Sequence, residues 1–453
     1  LYPPAHGVNN RDRMGSPELQ TILKLARDAG YAVPNLNFFT FAPYYKNLGL
    51  PEINREYFGE REESPLLNWL DRHLKDSTTE NPFFVWFHTT IVHQPYRPAP
   101  ESLPDTLENL EKRPGIKAVL NGAIVPKGST QFQEGDQPIL EALYDAEVRR
   151  VDRFFGEVLK RLEEAGQFDK TLIVLTADHG EELLDHGFVG HASTSLEAKL
   201  FDELVHIPLI LSYPGKVPAG STIAQPASQV DIFPTLLRLL NLEAKSPLEG
   251  TDLFDLPASR PIYFESVIAG NQTPHNREHE WVRGILKGRY KYTSNGQLYD
   301  HSTDPSELKD IAADNPETVE SLQTALESWL SESKALGERL FGSSDRVMLN
   351  VRPQECPRIY TPGNKQTLEY DIHTGALLFD WSGDMKTTYE IEYDIGTGDH
   401  NVAGKYEIQG NHQILGPFPR ELWINLKAWN PFRFRVSPQS TEPCWSEWVE
   451  FYF

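Results

Sequence analysis

The run Thr171-Leu-Ile-Val-Leu-Thr-Ala-Asp178-His179-Gly180 constrains this chain more than any other stretch. Its β-branched and aliphatic residues show no polar alternation. That is the pattern of a strand buried on both faces, as in a parallel sheet covered by helices. The run stops abruptly at a carboxylate, an imidazole and a glycine. In open α/β sheets, ligands and chemistry collect just beyond the carboxyl ends of the strands. Asp178 and His179 stand at that position, and both can bind a metal. Gly180 lets the chain turn sharply away. An isolated Asp-His pair after a strand is more often an ordinary polar loop, so the neighbouring segments decide the reading.

Those segments alternate between helical and extended patterns. Ser16-Pro17-Glu18 opens a helix, with Ser as N-cap, Pro in the first turn and an acid near the positive end. Leu19, Ile22, Leu23 and Ala26 form its apolar stripe, and Gly30 ends it. Phe83-Phe-Val-Trp-Phe87 is a second buried-strand candidate, running into a polar turn with His88 and His93. A long amphipathic helix is expected from about Gln137 to Ala165, on the spacing of Leu140, Leu143, Val148, Val151, Phe155, Val158 and Leu162. The Asp178 strand follows it, as in a βαβ unit. Ile207–Leu211 is another strand, and Val230–Pro234 leads into a helix over Thr235–Leu242. Pro261–Glu265, Gly284–Leu286 and Tyr290–Tyr292 suggest a small antiparallel sheet, closed by a charged helix from about Pro316 to Leu336.

After about residue 343 helical periods vanish. Thr388–Ile395, Glu421–Ala428 and Phe432–Val436 alternate, separated by turns rich in Gly, Asn, Asp and Pro. Short alternating strands over ~110 residues read as a β-sandwich. The expected domains are thus residues 1–255, 256–340 and 343–453. A chain of 453 residues is too long for one ordinary core. The formal charge of -22 disfavours a nucleic-acid or anionic-membrane partner, because phosphates would be repelled. No apolar run approaches the ~20 residues of a membrane helix. Cys356 and Cys444 form either one disulfide or two buried thiols. Asn271-Gln-Thr273 is a glycosylation sequon of little weight by itself.

Several segments, in their shared order, resemble the sulfatases of the alkaline-phosphatase superfamily over roughly residues 1 to 335. They are Leu1-Tyr-Pro-Pro-Ala-His-Gly7-Val8, Thr171–Gly180, Phe201–Ile210, Gln229-Val-Asp231-Ile-Phe-Pro234, Arg283–Tyr292 and Leu298–Pro305. The resemblance implies an alkaline-phosphatase-like α/β fold: a mixed, mostly parallel sheet flanked by helices, then a small antiparallel subdomain and the C-terminal all-β sandwich. It also implies a sulfuric ester hydrolase, with sulfated carbohydrates as one candidate substrate class. A periplasmic or secreted location goes with it, the signal peptide lying upstream. Two rival readings are a phosphonate monoester or phosphodiester hydrolase of the same superfamily, and a non-catalytic protein that binds sulfated glycans.

On this resemblance Asp178 and His179 are two ligands of one divalent metal ion, calcium in most members. His179 stands where many members have Asn, as also in related phosphonate and phosphate ester hydrolases, and an imidazole suits manganese or zinc better. His93 matches a histidine that contacts the ester or leaving-group oxygen, with His88 assisting in substrate binding. His191 is the first choice for the cation that binds the sulfate, and Lys199 is its rival. Glu181, Glu182 and Asp185 are expected on a solvated face, and His186 is expected to pack or cap. The Lys- and His-bearing element found after the first helix of many sulfatases reads here as Val33-Pro-Asn-Leu-Asn37-Phe-Phe. The remaining ligands and the nucleophile, in a Cys-x-Pro-x-Arg or Ser-x-Pro-x-Arg motif whose Cys becomes formylglycine, precede the Leu-Tyr-Pro segment in the family. Neither motif occurs in this sequence. The expectation is therefore an N-terminally truncated chain, inactive alone, from an active parent.

Overall fold

The structure, a computed structural model, describes residues 2–6, 16–37, 45, 47–59, 61–76, 82–98, 110–122, 125, 131–192, 197–267, 281–341, 359–361, 366–367, 377–381, 388–395, 402–409, 412–415, 430–438 and 445–452. Cys356, Cys444, the Asn271 sequon and the alternating run Glu421–Ala428 lie outside the described residues. The helices before the Asp178 strand are α1 (Pro3–His6), α2 (Ile22–Asp28), α3 (Ser64–Asp76), α4 (Pro114–Leu120) and α5 (Asp136–Glu164). Helix α2 starts later than its composition suggests. Thr21 is the cap: its hydroxyl oxygen accepts from Lys24 N at 3.2 Å and its O–H donates to Leu48 O. Ser16 serves only a separate turn, accepting from Glu18 N. Gly30, at φ +89°, supplies the left-handed stop.

Helix α5 spans the expected range, but its buried side differs from the expected stripe: Val148 is 44% exposed, and Phe154 rather than Phe155 is buried. One stretch of it (Phe154, Leu162) packs on Leu66, Leu67, Trp69 and Leu70 of α3, with Phe83, Val85, Phe87 and Ile173 against the same cluster. Alternate residues of 83–87 face this core, as in extended chain. The segment pairs through one parallel bridge, Ala32 to Phe83. Strand β1 (Ile173–Thr176) is half-buried rather than buried on both faces. The strands β2 (Glu182–Leu183) and β3 (Val189–Gly190) form a short hairpin, followed by α6 (Asp202–Val205) and β4 (Leu209–Ser212). The ladder described for β1 is with β4, and it runs antiparallel. Among the described residues β4 pairs with β1 alone, and Ile210 is 59% exposed.

Helix α7 (Ile232–Leu240) precedes β5 (Ile262–Val267), β6 (Trp281–Lys287), β7 (Tyr290–Thr293) and β8 (Leu298–Asp300), an antiparallel sheet in sequence order. Helix α8 (Pro316–Phe341) covers it through Leu322, Leu326 and Trp329 against Ile285, Tyr292 and Leu298. The C-terminal strands form a five-stranded and a three-stranded sheet sharing one core of Phe379, Trp381, Tyr389, Ile391, Phe434, Val436 and Phe451. Trp381 is fully buried there, whereas Trp448 is 37% exposed. Trp423 and Trp429 are outside the described residues.

Glu265 on β5 offers a stability test. Burial pushes its carboxyl up from 4.5 to about 7, outweighing the Arg283 guanidinium 2.8 Å away. The native state then keeps a proton that the unfolded chain releases, so stability falls as pH rises from 4.5 to about 7. The shift corresponds to about 3 kcal/mol. Urea titrations should show Glu265→Gln losing less stability than the unmodified protein between those pH values. Equal slopes would show that Glu265 does not titrate there.

Candidate active site

Asp178 and His179 leave the end of β1 together. Gln229 Nε2 donates to the carbonyls of Ala177 and Asp178, both at 3.0 Å, and so pins the strand end. Gly180 N donates to Leu204 O at 2.8 Å. A Cβ on Gly180 would lie 1.9 Å from Glu203 O, so only glycine lets the chain turn against α6 here. The Asp178 side chain is 62% exposed. Its Oδ2 lies 3.7 Å from His179 Nε2 and 3.8 Å from His88 Nε2. Burial of the strand end opposes its ionisation, but His179 and His88 hold its carboxyl below the ordinary value.

The short hairpin brings the next group in. Glu182 pairs with Gly190, a register that sets Glu181 across from His191. Glu181 Oε2 accepts from His191 Nδ1 at 2.8 Å, and Oε1 accepts from the Tyr96 hydroxyl at 2.9 Å. The His191 ring lies 4.2 Å from that of His179 and 4.8 Å from that of His93, between centroids. His93 Nδ1 is 2.5 Å from Gln94 O, and His179 Nδ1 is 2.8 Å from Gly180 O. An imidazole that donates from Nδ1 carries its lone pair or second proton on Nε2. His93, His179 and His191 thus share one local arrangement. Burial, then the neighbouring His191, pushes His93 down, which favours the neutral ring. Burial opposes the charge on Glu181, but the hydrogen bond and charge of His191 hold its carboxyl below the ordinary range.

All of Asp178, His179, His88, His93 and His191 therefore meet beyond one strand end. Lys199 is placed differently. Its side chain is 3% exposed, pairs with Glu182 and lies over the Phe188 ring at 3.9 Å. Burial lowers its amine and raises the carboxyl of Glu182. The expected solvated face is corrected for two of its members. Glu181 and Glu182 side chains are 5% and 0% exposed, because the hairpin turns them inward on opposite faces. Asp185 is exposed and accepts from Leu183 N. His186 packs, stacking on Phe201 with ring centroids 3.7 Å apart.

Sequence reasoning missed the supports. His88 N donates to Asn37 Oδ1 at 2.6 Å, while Asn37 Nδ2 donates to Trp86 O at 2.8 Å. Asn37 comes from the segment that lacks the family's Lys and His. Glu62 accepts from Thr89 Oγ1 at 2.8 Å and from Thr90 N, holding the turn between His88 and His93.

Two groups of described residues could hold a metal on spacing alone: His179, Glu181 and His191, and Asp202, His301 and Glu307. In the second, Lys291 Nζ already supplies the cation, 2.7 Å from Glu307 and 3.6 Å from Asp202. In the first, both Glu181 oxygens are taken by His191 and Tyr96. Asp178 Oδ2 beside His179 Nε2, at an exposed strand end, is the donor pair that fits one divalent ion.

The sulfatase family model matches residues 2–242, and the model for the C-terminal region of N-sulphoglucosamine sulphohydrolase matches residues 197–335. Arylsulfatase K of Bos taurus is 27% identical over 310 residues, which cover 59% of this chain and 54% of that protein. An ulvan-active sulfatase of Formosa agariphila is 27% identical over 318 residues, covering 67% of this chain and 57% of that protein. The chain thus spans about half the length of the curated relatives it matches. Among solved structures, a phosphonate monoester hydrolase of Agrobacterium radiobacter superposes with a TM-score of 0.54 at 20% identity, covering 74% of this chain and 84% of that one. A protein in complex with its substrate D-glucosamine-2-N,6-O-disulfate superposes at 0.52 with 19% identity, covering 74% and 86%. These likenesses show a shared fold. With the family model covering more than half of its residues, the chain belongs to the sulfatase family.

Proposed function

We propose that the full-length protein hydrolyses sulfuric esters, with sulfated carbohydrates as its substrate class. The observation that supports this is the convergence of Asp178, His179, His88, His93 and His191 beyond β1 in a chain of this family. Asp178 and His179 would hold one divalent ion: calcium by family, manganese or zinc by the preference of an imidazole. Bound there, the ion stabilises negative charge on ester oxygens. His93 contacts the ester or leaving-group oxygen, where an imidazole carrying a proton on Nε2 can donate it to a departing alkoxide. His191 binds the non-bridging oxygens, and His88 helps to seat the ester. Lys199, held against Glu182, acts on substrate only if that pair opens. The strands after residue 343 are read as a β-sandwich docking module, and the protein as secreted or periplasmic.

The attacking group of this chemistry has no motif among these residues, so the test uses the full-length protein. It is dialysed against a chelator, then given calcium, manganese or zinc, and assayed on an aryl sulfate and an aryl phosphonate monoester. Chelation should abolish turnover, and one metal should restore it. Sulfate should be preferred by at least ~10-fold in kcat/KM. Faster phosphonate turnover would favour a phosphonate monoester hydrolase, the activity named for one protein of this fold. Binding of a sulfated glycan without turnover would make it a binding protein.

A further inference from the structure

We propose that Glu181 is a positioning residue: it fixes the His191 imidazole with Nδ1 as donor and ties it, through Tyr96, to the segment that carries His93. Its effect on turnover rests on the sulfatase reading, whereas its effect on the imidazole does not.

A buried carboxylate survives in a fold only when hydrogen bonds satisfy it. The two oxygens of Glu181 are satisfied by His191 Nδ1 and by the hydroxyl of Tyr96, which is itself fully buried. His191 belongs to the histidine cluster, and Tyr96 follows His93 by three residues. The chain neighbour of Glu181, Glu182, is different, since it faces Lys199 and His186. The hairpin explains the difference. Successive strand residues point to opposite faces, so Glu182 enters the core beneath while Glu181 crosses to His191. An imidazole carries two nitrogens, and the proton of the neutral ring can sit on either. A carboxylate at Nδ1 removes that choice and leaves Nε2 as the nitrogen for substrate oxygens. The same logic governs histidines whose second nitrogen is held by an acid in an outer shell, where loss of the acid costs roughly 10–100-fold. Tyr96 adds a second constraint. It follows His93 by three residues, so one carboxylate couples the two histidines assigned to substrate oxygens.

The test is Glu181→Gln, which keeps size and one acceptor oxygen but loses the charge and the second acceptor. In the full-length protein kcat should fall by ~10²-fold, with KM changing less than ~3-fold. In a His191→Ala background the same change should add less than ~2-fold, because a residue acting through His191 has nothing left to position. Independent, multiplying losses would overturn the proposal. Nitrogen-15 spectra of the His191 ring at one fixed pH give a readout without turnover. The unmodified protein should show Nδ1 protonated, and Glu181→Gln should show the proton shared with or moved to Nε2. A ring with bare Nδ1 in the unmodified protein would overturn the proposal whatever the enzyme does. Absent turnover with the predicted spectra would sink the sulfatase reading and leave this one standing. If Glu181→Gln does not fold, Glu181→Asp, whose shorter side chain draws the carboxylate back from Nδ1, should move the His191 signals in the same direction. Signals that stay in place would count against Glu181.

Discussion

Replacing Asp178 by alanine is expected to lower turnover of the full-length protein by ~10³-fold or more while leaving its stability within about 0.5 kcal/mol. The two halves of this expectation come from one geometry. The carboxylate is 62% exposed; it accepts from the His179 backbone N–H at 3.1 Å and lies more than 3.6 Å from the nearer nitrogens of two imidazoles. Such contacts contribute little to folding. As a ligand for a divalent ion, the same carboxylate is one of few, and loss even of an outer-shell partner costs roughly 10–100-fold in metal affinity or activity. Metal content after dialysis, kcat/KM on an aryl sulfate and a urea titration check both halves. Full metal occupancy in the variant would remove Asp178 from the site. A collapse in stability would show that it serves the fold instead.

The second large effect is on folding. Asp231 is fully buried at the start of α7. Its Oδ2 accepts from Ser228 N at 2.7 Å and from Arg260 Nη2, and its Oδ1 accepts from Thr251 N at 2.8 Å and Arg260 Nη1 at 3.0 Å. Asp231→Ala would strand a largely buried guanidinium and two backbone donors. Breaking a buried pair from one side costs about 3–5 kcal/mol. Asp231→Asn keeps one acceptor and should cost less. Urea unfolding of both variants measures the order. A cost below about 1 kcal/mol for Asp231→Ala would mean that water reaches Arg260 and replaces the carboxylate.

Much of this was legible before any tertiary contact was known. The period of Leu140, Leu143 and Leu162 placed α5 within a residue of each end, because an amphipathic stripe over many turns is a strong signal. Alternation at Thr388–Ile395 and Phe432–Val436 marked strands for the same reason. The start of α2 was misread, because Ser16-Pro17-Glu18 carries every local capping feature, whereas Thr21 wins through its bond to Leu48, far along the chain. The strand at 83–87 is extended with one bridge, since pairing depends on partners rather than on its own apolar content.

Asp178, His179, His93 and His191, the residues proposed to form the site, could be named from their motifs. The role of Glu181 could not. A Glu after Asp-His-Gly looks like solvated charge, and only the pairing of Glu182 with Gly190 turns Glu181 onto His191. The turn residues Asp185-His-Gly187 were the available signal, because a hairpin centred there sets that register. The burial of Lys199 against Glu182, on the other face of the hairpin, was equally out of reach of the sequence.

Sequence by itself therefore determined the family, much of the run of helices and strands, and the Asp-His pair at the end of one strand that is proposed to hold a metal. These depend on local periodicity and on residue types within a few positions of each other. Tertiary structure alone decided which carboxylates are buried, which nitrogen of each histidine faces an acceptor, and that Asn37, Glu62 and Tyr96 hold the cluster in place. Those features arise from contacts between segments distant in the chain, where register and burial rather than composition choose the partner.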